Sequence, residues 1–93
     1  MSDVEKIHIG ELIKKTVKSK GVKVAWLAKQ LHCHRNNIYK MYDKSWIDTE
    51  TLLKLSLLLN FNFFHLYSNY FESLDISNED DLQIVDDITQ EWR

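Results

Sequence analysis

The sequence of 93 residues contains no proline and only two glycines, Gly10 and Gly21. Average usage of proline, near 5%, would give about five prolines in a chain of this length. Tight hairpins and β-sandwiches take many of their turn residues from these two types. Their scarcity therefore favours a protein built from helices.

Cysteine and long apolar runs are also scarce. Cys33 is the single cysteine, which excludes an internal disulfide framework and favours a reducing compartment. No apolar stretch of the signal-peptide type follows the N-terminus. The most apolar segment, 52–67, is interrupted by polar residues and is shorter than the roughly 18 residues that a membrane span needs. We therefore expect a soluble, cytoplasmic protein without a membrane-spanning segment.

The remaining composition is that of one globular domain. Apolar residues make up 44% of the chain and charged residues 28%, values that exclude wholesale disorder. A domain this small buries only about 60% of its unfolded surface, so it has no room for a separate sensor or catalytic lobe. We therefore expect a binding protein and not an enzyme.

The charge is divided unevenly along the chain. Residues 1–71 carry eleven Lys or Arg and six Asp or Glu, a net charge of +5. Residues 72–93 carry one Arg and eight Asp or Glu, a net charge of −7. We therefore divide the chain into a helical domain, 1–71, and an acidic C-terminal tail, 72–93. The basic domain suggests a surface that binds a polyanion, although on charge alone two solvated faces are an equal alternative.

The spacing of apolar residues predicts five short helices in about sixty residues, with short connections between them. The predicted helices cover 7–20, 24–31, 35–42, 49–59 and 63–67. Gly21 and Asn60 can end the first and fourth helices in the left-handed conformation, and Asp48 and Asn62 can cap the starts of the fourth and fifth. The expected fold class is all-α, a compact five-helix bundle with an acidic C-terminal extension.

The acidic tail contains a weaker helical pattern. Ser77 and Asp80 resemble a capping box. The apolar residues of one helical stripe are Ile84, Val85, Ile88 and Trp92. An acidic, β-branched segment is a poor helix former by itself. We therefore expect a tail helix only where a second protomer or another partner covers this stripe.

Residues 24–42 have the organisation of two short helices with a break at His32-Cys33-His34. Close crossing of two such helices needs a small residue, which is Ala28, and a turn residue that accepts positive φ, which is His32. Apolar side chains for the contacts between the helices are Leu27, Leu31, Cys33, Ile38 and Met41. The pattern predicts a helix-turn-helix, with one amphipathic helix before the pair and two after it.

Three stretches carry a resemblance to a known family: Trp26-Leu-Ala-Lys-Gln-Leu31, Arg35-Asn-Asn-Ile-Tyr-Lys40 and Asp48-Thr-Glu-Thr-Leu-Leu-Lys-Leu55. Together they resemble the phage-repressor and Cro-like helix-turn-helix family, also called the Xre family, over about residues 7–68. The resemblance implies a lambda-repressor-like bundle. The chain departs from the family pattern at Val24 (usually Gln), at His32 (usually the turn glycine) and at Tyr42-Asp43-Lys44 (usually Glu-x-Gly).

The resemblance implies that the second motif helix lies in the major groove of double-stranded DNA, with its first turn against base edges. The positions that match the family's base readers are Arg35, Asn36 and Lys40. A guanidinium can bind guanine and an Asn amide can bind adenine, each through two hydrogen bonds. Contacts to the DNA backbone, or auxiliary contacts, are implied for His34, Asn37, Tyr39, Lys44 and Ser45.

The same residues also have plainer interpretations. Arg35 and Lys40 are charges that any solvated helix surface can carry, and His34 suits a simple N-cap. Trp26 and Trp46 fit packing in the core or in an interface better than nucleotide stacking.

The His32-Cys33-His34 triplet raises the question of a metal or thiol site. Structural zinc needs pairs of ligands at short intervals, and the other histidines, His8 and His65, stand far from the triplet in the sequence. A catalytic Cys–His pair needs a cleft and an oriented base. We therefore expect no metal, no cofactor and no catalytic residue.

The leading hypothesis is a sequence-specific, double-stranded DNA-binding transcriptional regulator of repressor type that binds as a homodimer. The apolar surfaces available for pairing are the fifth helix, with Phe61, Phe63, Phe64 and Tyr67, and the tail stripe. The alternative is a protein-interaction module on a helix-turn-helix scaffold. In that alternative the acidic tail binds a protein partner or masks the basic face.

Overall fold

The computed structural model describes residues 7–74, 77 and 83–85. Five helices follow one another in the chain: α1 (Ile9–Lys20), α2 (Val24–Gln30), α3 (Arg35–Tyr42), α4 (Thr49–Leu59) and α5 (Phe63–Ser73). A sixth, short helical segment covers 83–85, and the described residues contain no strand. The prediction of a compact, all-helical protein is confirmed.

The helix ends lie close to the predicted ones because local capping determines them. Gly21 and Asn60 end α1 and α4 in the left-handed conformation, with φ of 66° and 49°. The side chain of Asp48 accepts a hydrogen bond from the Thr51 amide at 2.7 Å, and that of Asn62 accepts one from the Phe64 amide at 3.1 Å. These four predicted boundaries are therefore confirmed.

The fifth helix is longer than predicted. It ends at Ser73 and not at residue 67, so it runs past residue 71, where we divided the chain. In the tail, Ile84 and Val85 are helical in the single chain, although the sequence predicts a tail helix only where a partner covers the apolar stripe. The other residues of the expected tail helix and its capping box, Asp80, Ile88 and Trp92, lie outside the described residues.

A single core joins the helices. Its buried apolar residues are Ile9, Ile13, Val17, Leu27, Ala28, Ile38, Leu52, Leu55, Leu59 and Phe63. The third helix packs against α1 and α2, and α4 packs against α1 and α5. Trp26 and Trp46 are not part of this core, since their side chains are 44% and 45% exposed.

The first turn of α1 is joined directly to the chain that follows α3. The amides of Ile9 and Gly10 donate to the carbonyl oxygens of Ser45 and Lys44. This pairing fixes the C-terminal end of α3 against α1, and α3 also packs against α2. Within the described part of the chain, no helix combines the length and apolar character needed to cross a membrane.

Candidate nucleic-acid interface

The connection between α2 and α3 is a compact reversal centred on His32. His32 has φ of 55°, the positive value expected from the sequence. Its amide donates to the Lys29 carbonyl at 3.2 Å, and the Cys33 amide donates to the Ala28 carbonyl at 2.9 Å. This pair of bonds is the Schellman arrangement that ends a helix and turns the chain back. The turn therefore needs no glycine here.

Apolar contacts hold α2 and α3 together and anchor both in the core. Leu27, Ala28 and Ile38 are buried in the core. The other three predicted contact residues pack against the core as half-buried side chains: Leu31, Cys33 and Met41. Cys33 thus behaves as a small apolar residue. Among the described residues, no group of three His, Cys, Asp or Glu side chains could hold a metal ion.

The outer face of α3 carries the predicted base-reading residues. Ile38 is fully buried and points into the core. Asn36 and Lys40, each two positions from Ile38, therefore lie on the opposite side of the helix, since each residue turns the helix by about 100°. Both are exposed, as are Arg35, Asn37 and Tyr39. These five side chains are all exposed, but they cover more than half of the circumference of α3. Asn37 lies on the side of the α4 start, and Tyr39 lies on the opposite side.

His34 caps the start of this helix. Its Nδ1 accepts a hydrogen bond from the Asn36 amide at 3.1 Å. An accepting Nδ1 carries no proton, so in the neutral ring the proton is on Nε2. His34 is exposed, and Nε2 can donate outward while Nδ1 keeps the cap.

A groove of about 790 Å³ runs between α3 and the start of α4, and we call it the α3–α4 groove. Four predicted contact residues line it: Asn37, Lys40, Lys44 and Ser45. Trp46 lines the same groove, with almost half of its side chain exposed. The sequence predicted core or interface packing for Trp46. No pattern of residue spacing in the sequence predicted this groove.

Asp43 and Asp48 also line the α3–α4 groove, and Asp48 accepts hydrogen bonds from a residue of the same helix start. Asp48 accepts hydrogen bonds from the amide and the hydroxyl of Thr51, at 2.7 and 2.8 Å. These bonds lower the pKa of the Asp48 carboxyl below its usual value. The carboxylate thus caps the positive end of α4. Asp43, at the C-terminal end of α3, is exposed in the same groove.

Two tyrosines form the other flank of α3. The rings of Tyr39 and Tyr42 meet edge to face, with their centroids 6.1 Å apart. Burial, and then the neighbouring Tyr39, raise the pKa of the Tyr42 phenol above its usual 10.0. Tyr42 therefore stays neutral at physiological pH and keeps its hydroxyl proton.

Comparison with known proteins returns no match for this chain: no family model, no curated protein and no solved structure is significantly similar to it.

Proposed function

We propose that this protein is a sequence-specific, double-stranded DNA-binding transcriptional regulator of the phage-repressor and Cro-like type. In this proposal α2 and α3 form a helix-turn-helix within a lambda-repressor-like bundle, and α3 enters the major groove. One observation carries the proposal. The side chains of Arg35, Asn36, Asn37, Tyr39 and Lys40 are exposed, while Ile38 of the same helix is fully buried in the core.

The dimensions of α3 support this role. The helix has eight residues, and an α-helix with its side chains is about 10–12 Å across, which fits a major groove about 12 Å wide. Arg35 and Asn36 lie in the first turn, where recognition helices meet base edges. Arg35 reads guanine through O6 and N7, Asn36 reads adenine through N6 and N7, and Lys40 reads a base one turn further along.

The residues around this face supply the sequence-independent contacts. Lys44 and Ser45 follow α3 in the α3–α4 groove, and His34 offers its Nε2 proton at the other end. Asn37 and Tyr39 lie on the two sides of α3, next to the face that carries Asn36 and Lys40. Contacts of this kind bind phosphates and set the register of the protein on the duplex.

The test is selection of binding sites from a library of random duplexes with the full chain, followed by binding isotherms at rising salt concentration. We expect one recovered consensus, and a log–log slope of affinity against salt of about −0.9 for each phosphate contacted. A duplex of the same length with a shuffled consensus is the control. Equal affinity for both duplexes would contradict sequence-specific recognition.

We also propose that the regulator binds as a homodimer. Three of the aromatic residues expected to pair protomers offer less surface than expected, since Phe63 is buried in the core and Phe64 and Tyr67 are half-buried against it. Exposed apolar area lies at Phe71 of α5, which is 76% exposed, and on the face of α4 where Leu53 and Leu57 are 50% and 73% exposed and one turn apart. Two protomers paired through this face would read a near-palindromic site, with half-sites about one helical turn apart.

A protein-interaction module is the second candidate. Exposed apolar side chains favour it, because the face with Leu53 and Leu57 would suit a partner protein equally well. The acidic tail would then bind that partner or cover the basic face. This candidate predicts no binding to duplex DNA even at low salt, so the experiment above separates the two.

A further inference from the structure

The third helix stands between two grooves. On the side away from α4, a second groove of about 710 Å³ lies between α1 and α3, and we call it the α1–α3 groove. Tyr39 and Tyr42 form its α3 wall, and Lys14 and Lys18 form its α1 wall. The groove reaches Val24, the first residue of α2. Its volume is similar to that of the α3–α4 groove.

Lys14 and Lys18 are both available for an anionic ligand. They lie four residues apart on α1, so their side chains leave the same face of the helix about 5–6 Å apart at Cβ. Both are exposed, and no described side chain forms an ion pair with either. By contrast, Lys20 donates to the Asn60 carbonyl oxygen at 3.2 Å, and Lys54 pairs with Glu50 at 3.2 Å.

We infer that the α1–α3 groove holds one sugar–phosphate strand of the duplex and that Lys14 and Lys18 bind its phosphates. This inference rests on the proposed function. A helix in the major groove has one strand of the duplex on each side of it. Lys44 lines the groove on one side of α3, and Lys14 and Lys18 line the groove on the other. The duplex is thus held by cations on both sides of the reading helix.

The acidic residue of the α1–α3 groove indicates where the strand runs. Asp43 lies at the C-terminal end of α3, where it repels phosphate. The first turn of α1 is joined to this end through Gly10 and Lys44, and Lys18 lies about 12 Å further along α1. The strand therefore passes the end of the groove that is away from Asp43, beside Lys18 and Val24.

The test compares two double variants that remove the same charge. Lys14→Ala/Lys18→Ala empties the groove of cations. Lys15→Ala/Lys29→Ala removes two exposed lysines that lie outside both grooves. Affinity for a fluorescein-labelled duplex of random sequence is measured from about 50 to 200 mM salt, with a melting curve for each protein. We expect the groove variant to flatten the log–log salt slope by about 1.8, from two contacts at 0.9 each, and the control to leave it nearly unchanged.

The outcomes distinguish a failure of the phosphate contacts from a failure of DNA binding itself. Equal slopes for the two double variants would overturn the inference, while binding by the wild-type chain would leave the proposed function intact. No binding of the wild-type chain to duplex at low salt would overturn both. Because all four lysines are exposed, we expect unchanged melting temperatures, so a change in slope reports on phosphate contacts and not on folding.

Discussion

The amide of Gly10 donates to the carbonyl oxygen of Lys44 at 2.9 Å, which binds the start of α1 to the end of the α3 region. A Cβ atom at Gly10 would lie 2.5 Å from the Met41 carbonyl oxygen and 2.6 Å from that of Lys44, and it would also meet the Tyr42 carbonyl oxygen. All three clashing atoms are backbone oxygens, which cannot move away by a change of rotamer as side-chain atoms can. The close approach that supports α3 therefore requires glycine at this position.

Gly10→Ala should destabilise the protein. Alanine in place of glycine inside a helix normally stabilises by up to about 1 kcal/mol. Here the overlap with backbone oxygens should reverse that sign and cost about 1–3 kcal/mol. Urea unfolding checks this, with the exposed Ser19→Ala in the same helix as the control. A Gly10→Ala protein that is more stable than the wild type would contradict the packing described above.

Arg35→Ala should lower the affinity for the selected site by about 1–3 kcal/mol and relax the base preference at one position, because a bidentate contact to guanine is lost. The measurement is a set of binding isotherms against the consensus and its single-base-pair variants. The exposed Lys29→Ala, on α2, is a control that removes the same charge. An unchanged preference at every position would remove Arg35 from the base readers.

Lys44→Ala should weaken binding to all duplexes alike and flatten the log–log salt slope by about 0.9, since one phosphate contact is lost. Its backbone carbonyl, which pairs with Gly10, is retained in the variant. Affinities for the consensus and for the shuffled duplex are measured side by side. A change in which sequence is preferred would show that Lys44 reads bases.

Leu57→Lys should shift the protein from dimer to monomer. Leu57 is 73% exposed, so the substitution leaves the core intact, and a charge in the pairing face opposes association. Sedimentation equilibrium measures the change, and Ser19→Lys, which adds the same charge at an exposed position of α1, is the control. A wild-type chain that is monomeric at all concentrations would exclude pairing through this face.

Asp48 should make the stability of the fold depend on pH in the acidic range. Hydrogen bonds from the Thr51 amide and hydroxyl lower the pKa of its carboxyl below the usual 3.8. A lowered pKa in the folded state means that the stabilisation is present above about pH 4 and is lost as the pH falls through the folded-state value. Asp48→Asn keeps an N-capping side chain but does not titrate.

The measurement is the midpoint of urea unfolding for both proteins between about pH 6 and pH 3. We expect the wild type to lose more stability than Asp48→Asn over this range, with the difference developing below about pH 4. Parallel curves would mean that the carboxylate contributes no more than a neutral cap.

Several features of the fold follow from short stretches of sequence. The bounds of α3, the left-handed residues His32 and Asn60, and the caps at Asp48 and Asn62 were all predictable. Each depends on torsion preferences and hydrogen bonds within a few residues. The end of α5 was not predictable in this way, because extending a helix that already exists costs little and no strong stop signal follows Tyr67.

The sequence by itself determined that the chain is helical, where most of its helix boundaries fall, including both ends of α3, and that Ile38 is apolar among polar neighbours on α3. Only the tertiary structure decided that Trp46 lines a groove, that Gly10 must lack a side chain, and that Lys14 and Lys18 lie in one groove with Tyr39. The physical reason is the separation along the chain between the residues that interact. Capping acts between residues close in the chain, whereas a groove is formed by helices distant in sequence, whose contacts depend on how the whole core packs.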